Sequence, residues 1–146
     1  MKNKLLYLAP ILLFFITGCF NDKVSPVPSL SSGTYSGQFR LFHRHATTSP
    51  FDTLKANITL TLSNTPANSF SLSGDTATVI AGSKGTYELA TNGNFILFVD
   101  STIPQTATSG KVHLNGEYVY SYDGNALQMI ASSADTLQVQ YDLKKN

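Results

Sequence analysis

Cysteine, tryptophan and charged residues are scarce in this chain, and these shortages exclude several classes of protein. Its 146 residues include one cysteine and no tryptophan, so a disulfide framework within the chain is impossible. Only 13% of the residues are charged, with ten basic and nine acidic side chains. This balance gives no electrostatic reason to expect a nucleic acid as partner.

The longest hydrophobic run lies at the N-terminus. Lys2 and Lys4 precede and flank an apolar segment that runs from Leu5 to Ile16. This layout is typical of a secretory signal, and the apolar run is too short to span a membrane. The four residues that follow it, Ile16-Thr17-Gly18-Cys19, resemble the lipobox of bacterial lipoproteins. The resemblance implies that residues 1–18 are a signal peptide cleaved before Cys19, whose thiol is then diacylated.

The same resemblance implies a location. Acyl chains of the palmitate type on Cys19, with a third on the new amino terminus, anchor a protein stably to a membrane. Phe20, where an Asp would resemble an inner-membrane retention signal, favours the outer membrane, on its periplasmic or cell-surface face. Residues 19–32 hold Pro26, Pro28 and four serines, and we predict that they form a tether.

From Gly33 onward the chain is predicted to be all-β. Apolar and polar residues alternate most clearly from Leu54 to Leu62, and similarly in Tyr35–Leu41 and Leu137–Leu143. No later segment shows sustained helical spacing. Shorter strand candidates are Asn68–Ser73, Thr76–Ala81, Thr86–Ala90, Asn94–Asp100, Gly116–Tyr122 and Ala126–Ala131.

Turn residues suggest how these strands connect. Asn92-Gly93 and Asp123-Gly124 suit two-residue hairpin turns of type I′. Consecutive hairpins favour an up-and-down arrangement, and a closed sheet removes the exposed edges that invite aggregation. We therefore predict that residues 33–146 form a small antiparallel up-and-down β-barrel of about eight strands, with a β-sandwich as the alternative.

The first strand also carries a family resemblance. Gly33-Thr34-Tyr35-Ser36-Gly37 resembles the G-x-W opening of lipocalin-like and calycin-like domains, with Tyr35 in place of the usual Trp. The last strand ends in a basic tail at Lys144 and Lys145, as in many small bacterial lipoproteins of uncharacterised function. The resemblance covers most of residues 33–145 in layout and implies the same barrel.

An eight-stranded barrel is wide enough either to be filled by side chains or to hold one small ligand. Tyrosine suits a cavity because it offers an apolar face and a hydroxyl that orients a polar atom. We therefore expect the barrel to bind a small hydrophobic or amphipathic molecule, with a filled core as the competing interpretation. The candidate ligand-binding residues are Tyr35, Phe39, Tyr87, Tyr118, Tyr120 and Tyr141.

The alternative function is an interaction module that contacts an envelope protein or glycan through an aromatic surface. Tyr118, Tyr120 and Tyr122 share one face of a predicted strand and could form such a surface. The segment Phe95–Val99 is apolar on both faces. It is either buried on both sides, beneath the loop around residues 101–109, or its outer face meets a partner.

Residues able to support catalysis or metal binding are few. His43 and His45 lie two apart and could share a metal, but they need a third ligand such as His113 from elsewhere. Glu88 and Glu117 fall on separate predicted strands and belong to no catalytic motif. The sequence therefore predicts no metal site, no cofactor and no enzyme.

Four Asp-Ser/Thr pairs form a further pattern: Asp52-Thr53, Asp75-Thr76, Asp100-Ser101 and Asp135-Thr136. Each resembles, with the residue after it, the Asp-Ser/Thr-hydrophobic motif of a bacterial O-glycosylation system. Turn-forming Asp residues next to Ser or Thr also produce such matches by chance. The sequence leaves their modification open.

Overall fold

The computed structural model describes residues 29–91, 94–104, 110–133 and 136–146. The predicted signal peptide, Cys19, most of the predicted tether and the Asn92-Gly93 turn lie outside the described residues. Within the described ranges, no helix is long and apolar enough to cross a membrane. The strands are β1 Gly33–His43, β2 Asp52–Ser63, β3 Ser69–Gly74, β4 Ser83–Leu89, β5 Phe95–Asp100, β6 Gly116–Tyr122, β7 Ala126–Ser133 and β8 Leu137–Lys145.

These strands form a closed barrel in which each pairs antiparallel with the next and β8 pairs with β1. The longest ladder joins β1 to β2, from Gly33 opposite Leu62 to His43 opposite Asp52. The closing ladder places Tyr35 opposite Lys145. The structure confirms the predicted all-β, up-and-down barrel, and the alternative of a β-sandwich is wrong because the sheet closes on itself.

Alternation along the strands sorts side chains between the interior and the outer wall. On β2, for example, Ile58 and Leu60 are at most 3% exposed, while Asn57 and Thr61 face solvent. The inward residues of all eight strands meet in one core. A pleated strand sends successive side chains to opposite faces, so the period-two pattern in the sequence predicts this core directly.

One predicted strand is wrong. Residues 76–79 of the predicted strand Thr76–Ala81 form a turn, in which the Thr78 amide donates to the Asp75 carbonyl at 3.5 Å. Ile80 makes a single parallel bridge to Val112. The alternation of apolar and polar residues from Thr76 to Ala81 does not distinguish a strand from this loop. The backbone groups of the loop that joins β3 to β4 make hydrogen bonds within the turn and at this one bridge, rather than in a ladder with a neighbouring strand.

The turn between β6 and β7 is shifted by one residue from the prediction. The backbone of Asp123 pairs with that of Ala126, so Gly124 and Asn125 are the two loop residues. Gly124 has φ of 101°, a conformation that favours glycine. The Asp123 carboxylate accepts the Asn125 and Ala126 amides at 2.8 and 2.7 Å, which fixes the turn.

The end of the predicted tether belongs to the barrel. Leu30 is 4% exposed and packs in the core. Ser31 Oγ lies 2.7 Å from the Tyr122 hydroxyl and accepts a hydrogen bond from Lys145 Nζ at 2.9 Å. We call the end where Ser31 lies the proximal end. The distal end is the opposite one, where β1, β3, β5 and β7 end and where the described residues 44–51, 75–82, 101–104 and 110–115 lie.

Closure of the barrel depends on a close backbone approach at Gly37 in β1. A Cβ at this position would lie 2.0 Å from the carbonyl oxygen of Asp142 in β8. No side chain fits at that distance, so the approach of β8 to β1 requires glycine here. Glycine positions of this kind mark the bends that small barrels need.

We predict that Gly37→Ala lowers the free energy of unfolding by about 1–3 kcal/mol, because β8 must move to admit the methyl group. Urea unfolding followed by circular dichroism measures the change. Gly82→Ala is the matched control, since its Cβ would meet the Leu72 carbonyl oxygen at an ordinary 3.6 Å. Equal stability of the two variants would contradict the role given to Gly37.

Candidate functional site

The six candidate ligand-binding residues all lie inside the barrel. Each occupies an inward position of its strand and is at most 7% exposed. The inward placement follows from the alternation, whereas ligand binding by these side chains remains a prediction. They are Tyr35, Phe39, Tyr87, Tyr118, Tyr120 and Tyr141.

Aromatic rings from different walls of the barrel contact one another in a continuous chain. Phe39 on β1 contacts Tyr141 on β8, with 5.1 Å between ring centroids, and Tyr141 contacts Tyr118 on β6 at 5.6 Å. Tyr118 contacts Phe98 on β5 at 5.9 Å, and Phe98 contacts Phe70 on β3 at 4.9 Å. We call these five residues the ring chain. Since β1 and β5 lie on opposite walls, the ring chain crosses the interior from one wall to the other.

A second aromatic pair lies at the proximal end. The rings of Tyr35 and Tyr122 are 6.1 Å apart, and the Tyr35 hydroxyl donates to the Ser31 carbonyl oxygen at 2.5 Å. Burial raises the pKa of Tyr35 to about 12, so this phenol stays neutral at physiological pH. Ser31 therefore connects the incoming chain to two interior tyrosines.

The tyrosines of β6 do not form an exposed aromatic surface. Tyr118, Tyr120 and Tyr122 share one face, as the sequence predicts, but that face is the interior. Their side chains are 2, 7 and 7% exposed. The outward residue between the first two is Val119, which is 53% exposed. The predicted role of these tyrosines as a sugar-binding ladder is therefore wrong.

The interior hydroxyls differ in their hydrogen bonding. Tyr87 Oη donates to Asn64 Oδ1 at 2.6 Å, and Tyr118 Oη donates to the Asn115 carbonyl oxygen at 3.4 Å. Tyr141 Oη is fully buried and has no hydrogen-bond partner among the described residues. Burial raises the pKa of Tyr141 well above its usual value, with the neighbouring Tyr118 adding to the effect. Tyr141 thus carries a buried hydroxyl that makes no hydrogen bond of normal geometry, beside the phenol of Tyr118.

The distal end is covered by two connections that pair with each other. The Ala81 amide donates to the Val112 carbonyl oxygen at 2.9 Å, and the Val112 amide donates to the Val79 carbonyl oxygen at 2.8 Å. Ile80 and Leu114, on these two connections, are 1% and 0% exposed and extend the core toward this end. The described parts of these two connections are therefore joined to each other and to the core at this end.

A buried carboxylate holds the connection between β5 and β6. Asp100 ends β5, its side chain has no exposed surface, and its Oδ2 lies 2.8 Å from His113 Nδ1. Its Oδ1 accepts hydrogen bonds from the Thr102 amide at 2.7 Å and the Thr102 hydroxyl at 2.6 Å. Burial alone would raise the pKa of Asp100, but these hydrogen bonds outweigh it and lower the pKa. Sequence reasoning treated Asp100 as a turn residue and missed this pairing.

The outer wall of β5–β7 exposes a row of large apolar side chains. Phe95, Leu97 and Val99 on β5 are 42, 40 and 53% exposed. Register places Phe95 opposite Val119 on β6, and Val119 opposite Ile130 on β7. We call these five residues the outer apolar strip. The expectation that Phe95–Val99 is buried on both faces is wrong for these side chains.

The adjoining wall presents polar side chains. A groove of about 960 Å³ runs from the start of β7 over β8, β1 and β2. Within it Arg40 Nη1 lies 2.9 Å from Asp142 Oδ2, and Gln128 and Gln140 both donate to the same carboxylate. These side chains meet one another's hydrogen-bonding needs, so their presence is explained by a polar outer surface on this wall.

His43 and His45 are brought together, but without a third ligand. Their ring centroids are 4.8 Å apart, and Asp52 lies opposite His43 in the ladder. No group of three potential metal-ligating side chains occurs in the part of the chain that the structure describes. His113, the other suggested ligand, is held by Asp100.

The hydroxyl residues of the four Asp-Ser/Thr pairs all lie at the distal end. Thr53, Thr76 and Ser101 are exposed, and Thr136 is partly buried. The Asp partner of Thr136 is outside the described residues. Their common position faces away from the proximal end, where the chain enters the barrel.

The fold of this chain is assigned from its geometry, because comparisons with known proteins gave no match. No family model, curated protein or solved structure matches the chain. The closed eight-stranded antiparallel barrel is consistent with a calycin-like or lipocalin-like architecture. Fold alone does not assign a function, which must be inferred from the surfaces and contacts of the barrel.

Removing the hydroxyl of Tyr141 and removing that of Tyr87 should have different effects on the free energy of unfolding. Tyr141→Phe deletes an unpartnered buried oxygen and should leave the free energy of unfolding unchanged or raise it by up to about 1 kcal/mol. Tyr87→Phe breaks the bond to Asn64 and should lower it by about 1 kcal/mol. Urea unfolding of both variants tests this, and a clear loss of stability in Tyr141→Phe would show that its hydroxyl has a partner.

The buried Asp100 carboxylate, which accepts hydrogen bonds from Thr102 and lies beside His113, should make stability fall in acid. Because folding lowers the pKa of Asp100, its contribution is present above the unfolded-state pKa of about 3.9 and is lost as pH falls through the folded value. Asp100→Asn should therefore cost about 1–3 kcal/mol at pH 7 and progressively less below about pH 4. Unfolding curves from pH 2 to 8 measure this. The exposed Asp75→Asn is the control, and a difference for Asp100→Asn that does not change with pH would contradict the argument.

Proposed function

We propose that the protein is a lipid-anchored lipoprotein of the bacterial outer membrane whose barrel is a filled interaction module. It acts by contact of its outer wall with an envelope protein or glycan. The observation that carries this proposal is the ring chain, which occupies the interior from β1 to β5. With the interior filled at that level, the outer apolar strip is the strongest candidate contact surface on the described residues.

The lipobox resemblance and the position of Ser31 support the anchor. A diacylated Cys19 holds the chain at the bilayer, and residues 20–28 connect it to Ser29, the first described residue. Ten extended residue steps reach at most about 35 Å. The proximal end therefore stays near the membrane, while the outer wall and the distal end remain open to other molecules.

The apolar character of the strip supports contact with a partner. Outward positions elsewhere on the barrel are mostly polar, as with Asn57 and Thr61 on β2. The strip instead exposes five large apolar side chains on three adjacent strands. A soluble domain rarely presents neighbouring apolar residues in this way unless they meet another surface.

A second candidate function is the binding of a small hydrophobic or amphipathic ligand inside the barrel. The unpartnered Tyr141 hydroxyl favours it, since a ligand atom would supply the missing hydrogen bond. Such a ligand must displace rings of the ring chain to enter. Quenching of tyrosine fluorescence by fatty acids, sterols or haem, weakened in Tyr141→Phe, would support this second function over the first.

Photo-crosslinking in the producing bacterium tests the proposed contact. A photoreactive amino acid at position 119, in the strip, should yield a discrete adduct with one envelope component. The same amino acid at position 57, on the opposite wall, should not.

Labelled palmitate should be incorporated into this chain and not into its Cys19→Ala variant. Identical background adducts from positions 119 and 57 would contradict the proposal.

A further inference from the structure

Two carboxylates flank the middle of the outer apolar strip. Register places Glu88 on β4 and Glu117 on β6 directly opposite Leu97 on β5, one on each side. Both glutamates are exposed. Residues opposite each other on one face of a sheet have Cβ atoms about 5 Å apart, so the two carboxylates lie on either side of the Leu97 side chain.

No cation among the described residues forms an ion pair with either glutamate. The outward positions two residues from Leu97 are Phe95 and Val99, and the outward cation of β4, Lys84, lies four residues from Glu88 and pairs with Ser71 in the β3–β4 ladder. Ion pairs among the described residues join Arg40 to Asp142 and His113 to Asp100, and neither involves Glu88 or Glu117. The strip is therefore an apolar surface with two uncompensated negative charges near its centre.

This charge pattern discriminates between possible occupants. A second copy packed symmetrically about Leu97 would bring four carboxylates together, and like charges across an interface oppose binding. A membrane surface with anionic lipids repels the same carboxylates. A protein segment with apolar side chains and Lys or Arg residues satisfies both features, because long basic side chains cover apolar surface while their charged ends reach a carboxylate.

We propose that the outer apolar strip binds an apolar protein segment whose Lys or Arg residues pair with Glu88 and Glu117 on either side of Leu97. This inference rests on the proposed function, since it specifies the partner of the same wall. Two strand spacings separate the glutamates, so the basic groups of the partner must be about 10 Å apart. The apolar side chains supply contact area, and the two charges set the orientation of the bound segment.

Two synthetic peptides of equal length, one of Leu and Lys and one of Leu and Glu, test the charge preference. The probe protein is the mature chain with Cys19→Ala, which needs no detergent, and fluorescence anisotropy of the labelled peptides reports binding. The Leu/Lys peptide should bind at least tenfold more tightly than the Leu/Glu peptide. The double variant Glu88→Gln, Glu117→Gln should remove that preference, and Val119→Ser should weaken binding of the Leu/Lys peptide.

The matched control is Asp52→Asn with Asp75→Asn, which removes two exposed charges outside the strip and should leave the preference intact. A preference that survives the Glu88 and Glu117 changes, or is equally lost in the control, overturns the inference. Dimerisation, or binding to phosphatidylethanolamine/phosphatidylglycerol vesicles, that Val119→Ser abolishes would assign the strip to a second copy or to a membrane instead. An adduct at position 119 without any charge preference overturns this inference but not the proposed function.

Discussion

Contact between aromatic rings from opposite walls determines what this barrel can do. An eight-stranded barrel stands at the limit between a filled core and a small cavity, so the size of its inward side chains decides the outcome. Here Phe39, Tyr141, Tyr118 and Phe98 touch in sequence across the interior. Each such aromatic contact contributes about 0.5–1.5 kcal/mol beyond its buried area. The same contacts that stabilise the fold therefore occupy space that an interior ligand would need, and this is the reason for proposing the outer wall as the contact surface.

The two ends of the barrel extend this filled interior. At the proximal end Leu30 and Ser31 bring the incoming chain into contact with the core and its tyrosine hydroxyls. At the distal end Ile80 and Leu114 are buried on two connections that are bridged to each other. The fixed point at Ser31 also gives the barrel a direction, because the proposed lipid anchor precedes it in the chain. Under the proposed function, the outer apolar strip on β5–β7 then lies on the side of the barrel, between the anchored proximal end and the distal end.

Local patterns predicted the fold well, and the residues that depend on distant contacts were missed. The alternation of apolar and polar residues from Leu54 to Leu62 places all the apolar side chains on one face of a pleated strand, so it predicts both β2 and its buried face. In β5 both faces of the alternation are apolar, so which of Leu97 and Phe98 faces the core is decided only by pairing with β4 and β6. Asp100 and His113 are separated by a connection and meet only in the folded chain. No local signal in the sequence predicts such a pair.

The central claim is that the interior is filled by the protein's own side chains, and mass spectrometry tests it most directly. Residues 20–146, purified without detergent from the producing bacterium, would be measured under native and then denaturing conditions. The account predicts the same polypeptide mass in both, unchanged after incubation with fatty acids, sterols and haem. A non-covalent mass that is present in the native spectrum and lost on denaturation would contradict it, because an occupied cavity would then exist where the ring chain lies.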